Sequence, residues 1–271
     1  MDFIIFSDVI KATLLGIVEG ITEFLPISST GHLIIVNQFI SFEKDFTVLF
    51  DVVIQLGAIL AVLFYFRKKL WPFTDDKEKN SETRILWYKT IIGVFPALFF
   101  GFIFAHFIQE KLFNPWVVAA TLFIGGIIIL AIEKKERKAT ILSLSQMSFK
   151  TAFFIGMIQC LSMIPGTSRS AATIIGAMFL GASRTVATEF SFFLAIPTMF
   201  AASAYSLLKY KAVLTAEQIF ILVVGFFVSF AVALLVTKFF IHYIQKNNFK
   251  VFGYYRIILS LLIISYFLVF I

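Results

Sequence analysis

Charge is scarce in these 271 residues: 14% are Asp, Glu, Lys or Arg, while 60% are hydrophobic. A soluble domain carries about a quarter charged residues, so a water-soluble fold is excluded. Cysteine is almost missing. Cys160 stands alone, which rules out an intramolecular disulfide and a cysteine metal cluster; it reads as a small buried apolar residue. No cleavable leader is expected either. Met1-Asp2-Phe3 lacks a basic stretch and no small-residue cleavage site follows, so the first apolar segment is expected to stay in the mature chain.

What remains is grease. The mean hydropathy is +0.95, the value of a polytopic membrane protein. The net charge of +7 reads as the lysine and arginine excess of cytoplasmic loops rather than as a nucleic-acid surface.

About 20 apolar residues make one span, and eight hydrophobic regions follow: 3–40, 46–66, 85–107, 113–133, 150–180, 185–208, 217–240 and 251–271. The first and fifth are long enough for two short helices, and each is broken by Pro, Gly and hydroxyl residues. Pro26 and Pro165 disfavour helix at the residue before them. Broken backbone at membrane depth is tolerated only inside protein or along a cavity. These two regions are therefore expected to be re-entrant helix hairpins, and the other six to be full spans.

The loops then sort into two sides. Loops 67–84, 134–150 and 241–250 hold Arg67, Lys68, Lys69, Lys77, Lys79, Arg84, Lys134, Lys135, Arg137, Lys138, Lys150, Lys246 and Lys250. The other side holds the N-terminus, 41–45 with Lys44, 108–112 with Lys111, and 209–216 with Lys209 and Lys211. The richer side should be cytoplasmic, with both termini outside.

The two broken regions repeat one pattern. Gly16, Glu19, Ile21, Thr22, Pro26, Ser28 and Ser29 match Gly156, Gln159, Leu161, Ser162, Pro165, Thr167 and Ser168, if one residue is deleted before the proline. One hairpin plus three spans makes a half, about 1–135 and 136–271 of a single membrane domain. An odd number of spans turns the second half upside down. The expected fold class is thus all-α and polytopic: an inverted-topology repeat of six transmembrane helices plus two re-entrant hairpins. Many secondary transporters are built this way, so architecture alone favours a transporter or lipid flippase.

The polar cargo points elsewhere. Glu19 and Glu23 lie four apart on one helical face. At low dielectric they need a cation, a shared proton or water, and an oxygen-ligated divalent metal is the economical answer. The bland alternative is a pair of glutamates at a helix end. Ser28, Ser29 and Thr30 can cap the next helix, but three hydroxyls with His32 nearby exceed what a cap needs. His32 could act as base for a hydroxyl nucleophile or attack directly. His106 and His242 are background. Pro165-Gly-Thr-Ser-Arg-Ser170 is a turn opening a helix, where free N–H groups and the dipole favour anions. Arg169 adds a bidentate donor whose partner is either a glutamate or a substrate phosphate. Together this is a phosphoryl-transfer inventory in a lipid-bounded cavity.

At these residues the chain resembles the undecaprenyl pyrophosphate phosphatase, or bacitracin resistance protein, family. The run from Gly16 through Glu19, Glu23, Pro26 and Ser29 to His32 is similar to its glutamate-rich motif, and Pro165-Gly-Thr-Ser-Arg-Ser-Ala-Ala-Thr173 to its second motif. Phe50-Asp-Val-Val-Ile-Gln-Leu-Gly and Glu189-Phe-Ser-Phe-Phe-Leu-Ala-Ile-Pro also fit, so the likeness covers the whole length. It implies an enzyme of the bacterial inner membrane that removes the terminal phosphate of undecaprenyl diphosphate; with the first hairpin dipping from outside, the loop map would open its site to the outer face. Glu19, Glu23, Ser29, His32 and Arg169 would be catalytic, Ser29 being the favoured nucleophile and His32 its base. Ser28, Thr30, Gln159, Gly166, Thr167, Ser168 and Ser170 would line the substrate site. A divalent cation, Mg2+ or Ca2+, would assist, with Glu19 and Glu23 as candidate ligands. The implied partners are a polyprenyl diphosphate and membrane lipids, with no nucleic acid; a homodimer is left open, as is the choice of nucleophile among Ser29, Ser28 and His32.

Overall fold

The computed structural model describes residues 2–134, 138–210 and 213–270. Lys135, Arg137 and Lys211, counted among the loop cations, lie outside them. In chain order the helices are α1 (Asp2–Thr22), α2 (Ser29–Phe39), α3 (Lys44–Tyr65), α4 (Arg67–Leu70), α5 (Lys77–Lys111), α6 (Pro115–Lys134), α7 (Phe149–Gln159), α8 (Arg169–Phe179), α9 (Arg184–Lys209), α10 (Ala216–Lys246) and α11 (Lys250–Phe270). A 3-10 turn, Cys160–Met163, extends α7. Among the described residues, six helices are long and apolar enough to cross a membrane: α3, α5, α6, α9, α10 and α11. The chain is an all-helical, multi-pass membrane protein, as the hydropathy map requires. Pro96 and Pro197 sit inside α5 and α9, where neighbouring helices can take up the freed backbone groups.

The remaining helices form two short pairs. At the mouth of the first, Lys11 of α1 lies 5.7 Å over the Phe42 ring, just past α2. Ala12 and Leu15 share an apolar cluster with Ile40, Phe42, Tyr210 and Leu214. The pair α1–α2 therefore begins and ends at the end of the bundle that carries 41–45 and 209–216. At the mouth of the second, the Thr140 and Ile141 amides donate to Gly181 O, and the Ser183 amide donates to Ile141 O, so α7–α8 leaves and returns beside 138–148. That is the other end. There Lys69 pairs with Glu189 at 2.6 Å, Lys89 Nζ donates to Leu144 O and Ser145 O, and Glu133 joins Arg184 to the Phe249 amide. Loops 67–84, 138–148 and 241–250 thus share one end.

Each pair leans on a long helix of the other half. Gly16 of α1 packs on the Gly225 carbonyl of α10, and Gly156 of α7 packs on the Gly93 carbonyl of α5. A Cβ at Gly156 would collide with that carbonyl, so only glycine admits the approach. The main core is aromatic. Phe190, Phe192, Phe193 and Phe240 are fully buried in it, and Phe24, from the turn after α1, sets its ring edge-on to Phe192 at 5.2 Å. Such a pair contributes about 0.5–1.5 kcal/mol beyond burial. It also fixes the backbone next to Glu23.

Candidate active site

Two turns meet in the middle of the bundle. In the first, Ser28 adopts φ 72° and its hydroxyl accepts from the Gly31 amide, capping α2. In the second, Ser168 adopts φ 69° and accepts from the Ala171 amide, capping α8. A left-handed backbone at a non-glycine residue is strained and concentrates at functional sites. The matched caps correct the repeat register. Residues 16 and 156, 19 and 159, 28 and 168, and 29 and 169 each differ by 140, with no deletion. The two prolines are the residues out of step: between proline and cap the first turn has Ile27 alone and the second has Gly166 and Thr167. Pro26 corresponds to Gly166, and Ser29 to Arg169.

Those two equivalent residues converge on one carboxylate. Ser29 Oγ donates to Glu23 Oε2 at 2.5 Å. Arg169 Nη2 donates to Glu23 Oε1 at 3.1 Å. Arg169 also gives Nη1 to Ser191 O, at 3.0 Å, and lies 5.7 Å from the Phe24 ring. Its Nε is buried and has no hydrogen-bond partner. Glu23 is 7% exposed and Glu19 1%, so both carboxyl groups are held away from water. Glu23 and Arg169 satisfy one another; breaking either side would strand a buried charge.

The backbones of the turns are bound together as well. Ser170 Oγ donates to Leu25 O at 2.8 Å and contacts Ser168 Oγ. Arg256 of α11 is completely buried. It donates to Pro26 O in the first turn and to Gly166 O and Thr167 O in the second, and also to Thr121 O and Leu122 O of α6. Gly166 has φ +85° and lies against Val118 and Thr121, so neither its backbone nor its surroundings admit a side chain. Arg256 was missed in the sequence. The available signal was an arginine inside an apolar span, which needs polar partners at membrane depth.

His32 is placed otherwise than expected of a base for Ser29. Its Nδ1 is 2.8 Å from Ser28 O and its Nε2 is 2.6 Å from the Tyr255 hydroxyl, with the two rings stacked. Ser29 is bonded to Glu23 instead. Gln159, the counterpart of Glu19, is fully buried, and its amide nitrogen donates to Thr198 Oγ1 at 3.3 Å.

A cavity of about 490 Å³ opens beside Ser29, lined by Glu19, Ser29, Thr30, Asn37, Asp51 and Gln55. Its rim includes Ser41, Phe42, Lys44 and Phe113, at the less basic end of the bundle. A divalent cation, the group that the family resemblance implies, needs oxygen donors. Glu19 Oε1, Asn37 Oδ1 and Asp51 Oδ1 are buried without partners. Glu23 has both oxygens engaged. The residues therefore fit a hard cation on the Glu19 side of the site. Among the described residues, no group of three or more His, Cys, Asp or Glu side chains is arranged to hold a metal by itself.

The model of the bacitracin resistance protein BacA family matches residues 12–262, nearly the whole chain. The chain belongs to that family. It is similar to the undecaprenyl-diphosphatase of Lachnoclostridium phytofermentans, 50% identical over 275 residues and 99% of each chain. It is 51% identical over 264 residues to undecaprenyl-diphosphatase 1 of Clostridioides difficile, with 96% of each chain covered. The undecaprenyl-diphosphatase of Lactiplantibacillus plantarum is 49% identical over 269 residues, covering 96% of this chain and 98% of its own. In this BacA-family chain, then, Glu23, Ser29 and Arg169 form one bonded cluster, Glu19 lines the adjoining cavity, Ser170 joins the turns, and His32 and Gln159 face other partners.

Proposed function

We propose that the chain hydrolyses undecaprenyl diphosphate to undecaprenyl phosphate and phosphate at the junction of the two turns. The observation that carries the reading is the Glu23 carboxylate bonded on one side to a serine hydroxyl and on the other to a buried arginine. Near-full-length relatives carrying the name undecaprenyl-diphosphatase support the substrate.

The chemistry follows from the residues. Ser29 Oγ attacks the terminal phosphorus while its proton passes to Glu23 Oε2. The bond from that phosphorus to the bridging oxygen breaks. Undecaprenyl phosphate leaves with the bridging oxygen and takes up the proton that Glu23 had accepted. A water then attacks the phosphoserine, Glu23 taking its proton and returning one to Ser29 Oγ as phosphate departs. Arg169 stabilises charge on the phosphoryl oxygens, its buried Nε being a donor still to be used. The α2 N-terminus adds its dipole beside Ser29. A divalent cation, held by Glu19 and its cavity neighbours, would supply further charge neutralisation.

The location is part of the proposal. We read α1–α2 and α7–α8 as re-entrant hairpins of an inverted repeat in the bacterial inner membrane. Their mouths at opposite ends and their matched serine caps support this. The cavity rim lies at the end poor in lysine and arginine, which supports an active site open to the outer face. The test is phosphate release from undecaprenyl diphosphate by purified wild type and Ser29→Ala. Release by the wild type and its loss in the variant are expected; equal release by both would overturn the assignment of Ser29.

A further inference from the structure

We infer that this protein binds one hard divalent cation between α1, α2 and α3, on Glu19, Asn37 and Asp51, with Glu23 outside the ligand set. The inference deepens the phosphatase reading and rests on it for its purpose, though not for its measurement.

Three observations converge. First, Glu19 Oε1, Asn37 Oδ1 and Asp51 Oδ1 are buried oxygens without hydrogen-bond partners, and all three residues line the same cavity. Buried oxygens of this kind are costly unless a donor or a cation meets them. Glu19 is 1% exposed, so its carboxyl has little contact with bulk water. Second, the sequence spacing aims them together. Ser29, Leu33 and Asn37 follow one face of α2 at intervals of four, and Thr47, Asp51 and Gln55 follow one face of α3. Asn37 Nδ2 donates to Asp51 Oδ2 at 3.2 Å, which leaves the amide oxygen and the second carboxylate oxygen free. Third, the acids crowd together. Glu19 lies within coulombic range of two further acids, Glu23 and Asp51, and of Arg169. A divalent ion would relieve the repulsion among these carboxyl groups.

The donor chemistry selects the class of ion. Two carboxylates and an amide carbonyl are hard oxygen ligands, suited to Mg2+, Ca2+ or Mn2+ and not to thiophilic metals. Three protein oxygens leave positions for water and for phosphate oxygens, and Ser29 lines the same cavity. Glu23 is set apart by its two existing bonds, to Ser29 and Arg169. The two glutamates of the motif thus divide the labour, one binding the ion and one handling the serine proton.

The test is Mn2+ binding to the detergent-solubilised full chain without substrate, followed by electron paramagnetic resonance. The wild type is expected to hold one Mn2+ that Mg2+ or Ca2+ displaces. Asp51→Asn and Glu19→Gln should weaken it at least tenfold, while Glu23→Gln changes it less than threefold. A wild type that binds no Mn2+ overturns the site, whatever the variants do. So does Asp51→Asn with unchanged affinity, or a loss confined to Glu23→Gln. Phosphate release measured on the same samples separates the two readings. A wild type that releases phosphate without binding Mn2+ refutes the site alone. One that binds Mn2+ as expected and releases no phosphate refutes the phosphatase reading alone.

Discussion

Ser29 and Arg169 hold opposite oxygens of one carboxylate, that of Glu23, at 2.5 and 3.1 Å. They are also the same position in two copies of one motif, the first helical residue after a serine cap with φ near 70°. In the proposed mechanism, this one slot supplies a nucleophile in the first copy and a phosphate clamp in the second, where it holds a guanidinium.

The first expectation concerns that shared carboxylate. Glu23→Gln keeps the shape but removes the proton acceptor, so kcat for phosphate release should fall about 10²- to 10⁴-fold. Ser29→Ala should fall at least as far. Because the two act as a unit, the double variant should be no slower than the slower single. Steady-state kinetics on all three decides it. Near wild-type turnover in Glu23→Gln would remove Glu23 from the proton path.

The ion pair gives a second expectation. Arg169→Leu leaves Glu23 buried without its charge partner and should cost about 3–5 kcal/mol of stability. Adding Glu23→Gln to Arg169→Leu should restore part of that loss, since no uncompensated charge remains. Thermal unfolding in detergent reads both. A double variant less stable than Arg169→Leu would show that the pair is not the source of the cost. Arg169→Lys keeps the charge but cannot reach Glu23 and Ser191 O with separate nitrogens, so turnover should still drop.

His32 is the third. Its ring nitrogens meet Ser28 O and the Tyr255 hydroxyl, not Ser29. His32→Gln should therefore slow phosphate release far less than Glu23→Gln does. An equal loss, moving with a pH profile, would return His32 to the role of base.

Much of this was legible beforehand, for identifiable reasons. Hydropathy located the six spans because each is a long apolar run, and Pro26 and Pro165 marked the two turns because proline interrupts helix. The grouping of residues at the candidate site was partly legible too. Glu19 and Glu23 were paired by spacing, and Arg169 was recognised as a charge in need of an anion. The register at the turns was misread because prolines were aligned, whereas the backbone aligns the caps Ser28 and Ser168. Asn37 and Arg256 went unremarked, and Asp51 entered only within a quoted stretch, because no short-range pattern ties any of them to the two turns. What groups them is convergence in space, which no local pattern records.

The proposed orientation in the membrane can be tested at the two ends of the bundle. With Cys160→Ala as background, Lys209→Cys should react with a membrane-impermeant maleimide added outside intact cells, and Glu78→Cys should not. The end carrying 67–84 is the one rich in lysine and arginine, the side that the positive-inside rule assigns to the cytoplasm. Outside labelling of Glu78→Cys would invert the map and turn the cavity toward the cytoplasm.

Arg256 supports the last prediction. It is a fully buried cation whose described hydrogen-bond partners are five backbone carbonyls from three places: Pro26, the pair Gly166 and Thr167, and the pair Thr121 and Leu122. Carbonyl dipoles from both turns and α6 therefore solvate one guanidinium, and the turns cannot separate without exposing it unpaired. Arg256→Lys retains the charge but offers three donors from a single point, so it cannot reach all three places. At about 1.5–3 kcal/mol for each hydrogen bond to a charged group, with partial replacement by the ammonium, a net loss of about 2–4 kcal/mol is expected. Loosening the turns should also move Arg169 relative to Glu23 and Ser29, so kcat should fall together with stability. Conditions that restore folding, such as lower temperature, should leave part of the kcat deficit in place. Thermal unfolding and phosphate release at two temperatures measure both. If kcat recovers fully once the variant is folded, Arg256 holds the bundle together without positioning the site.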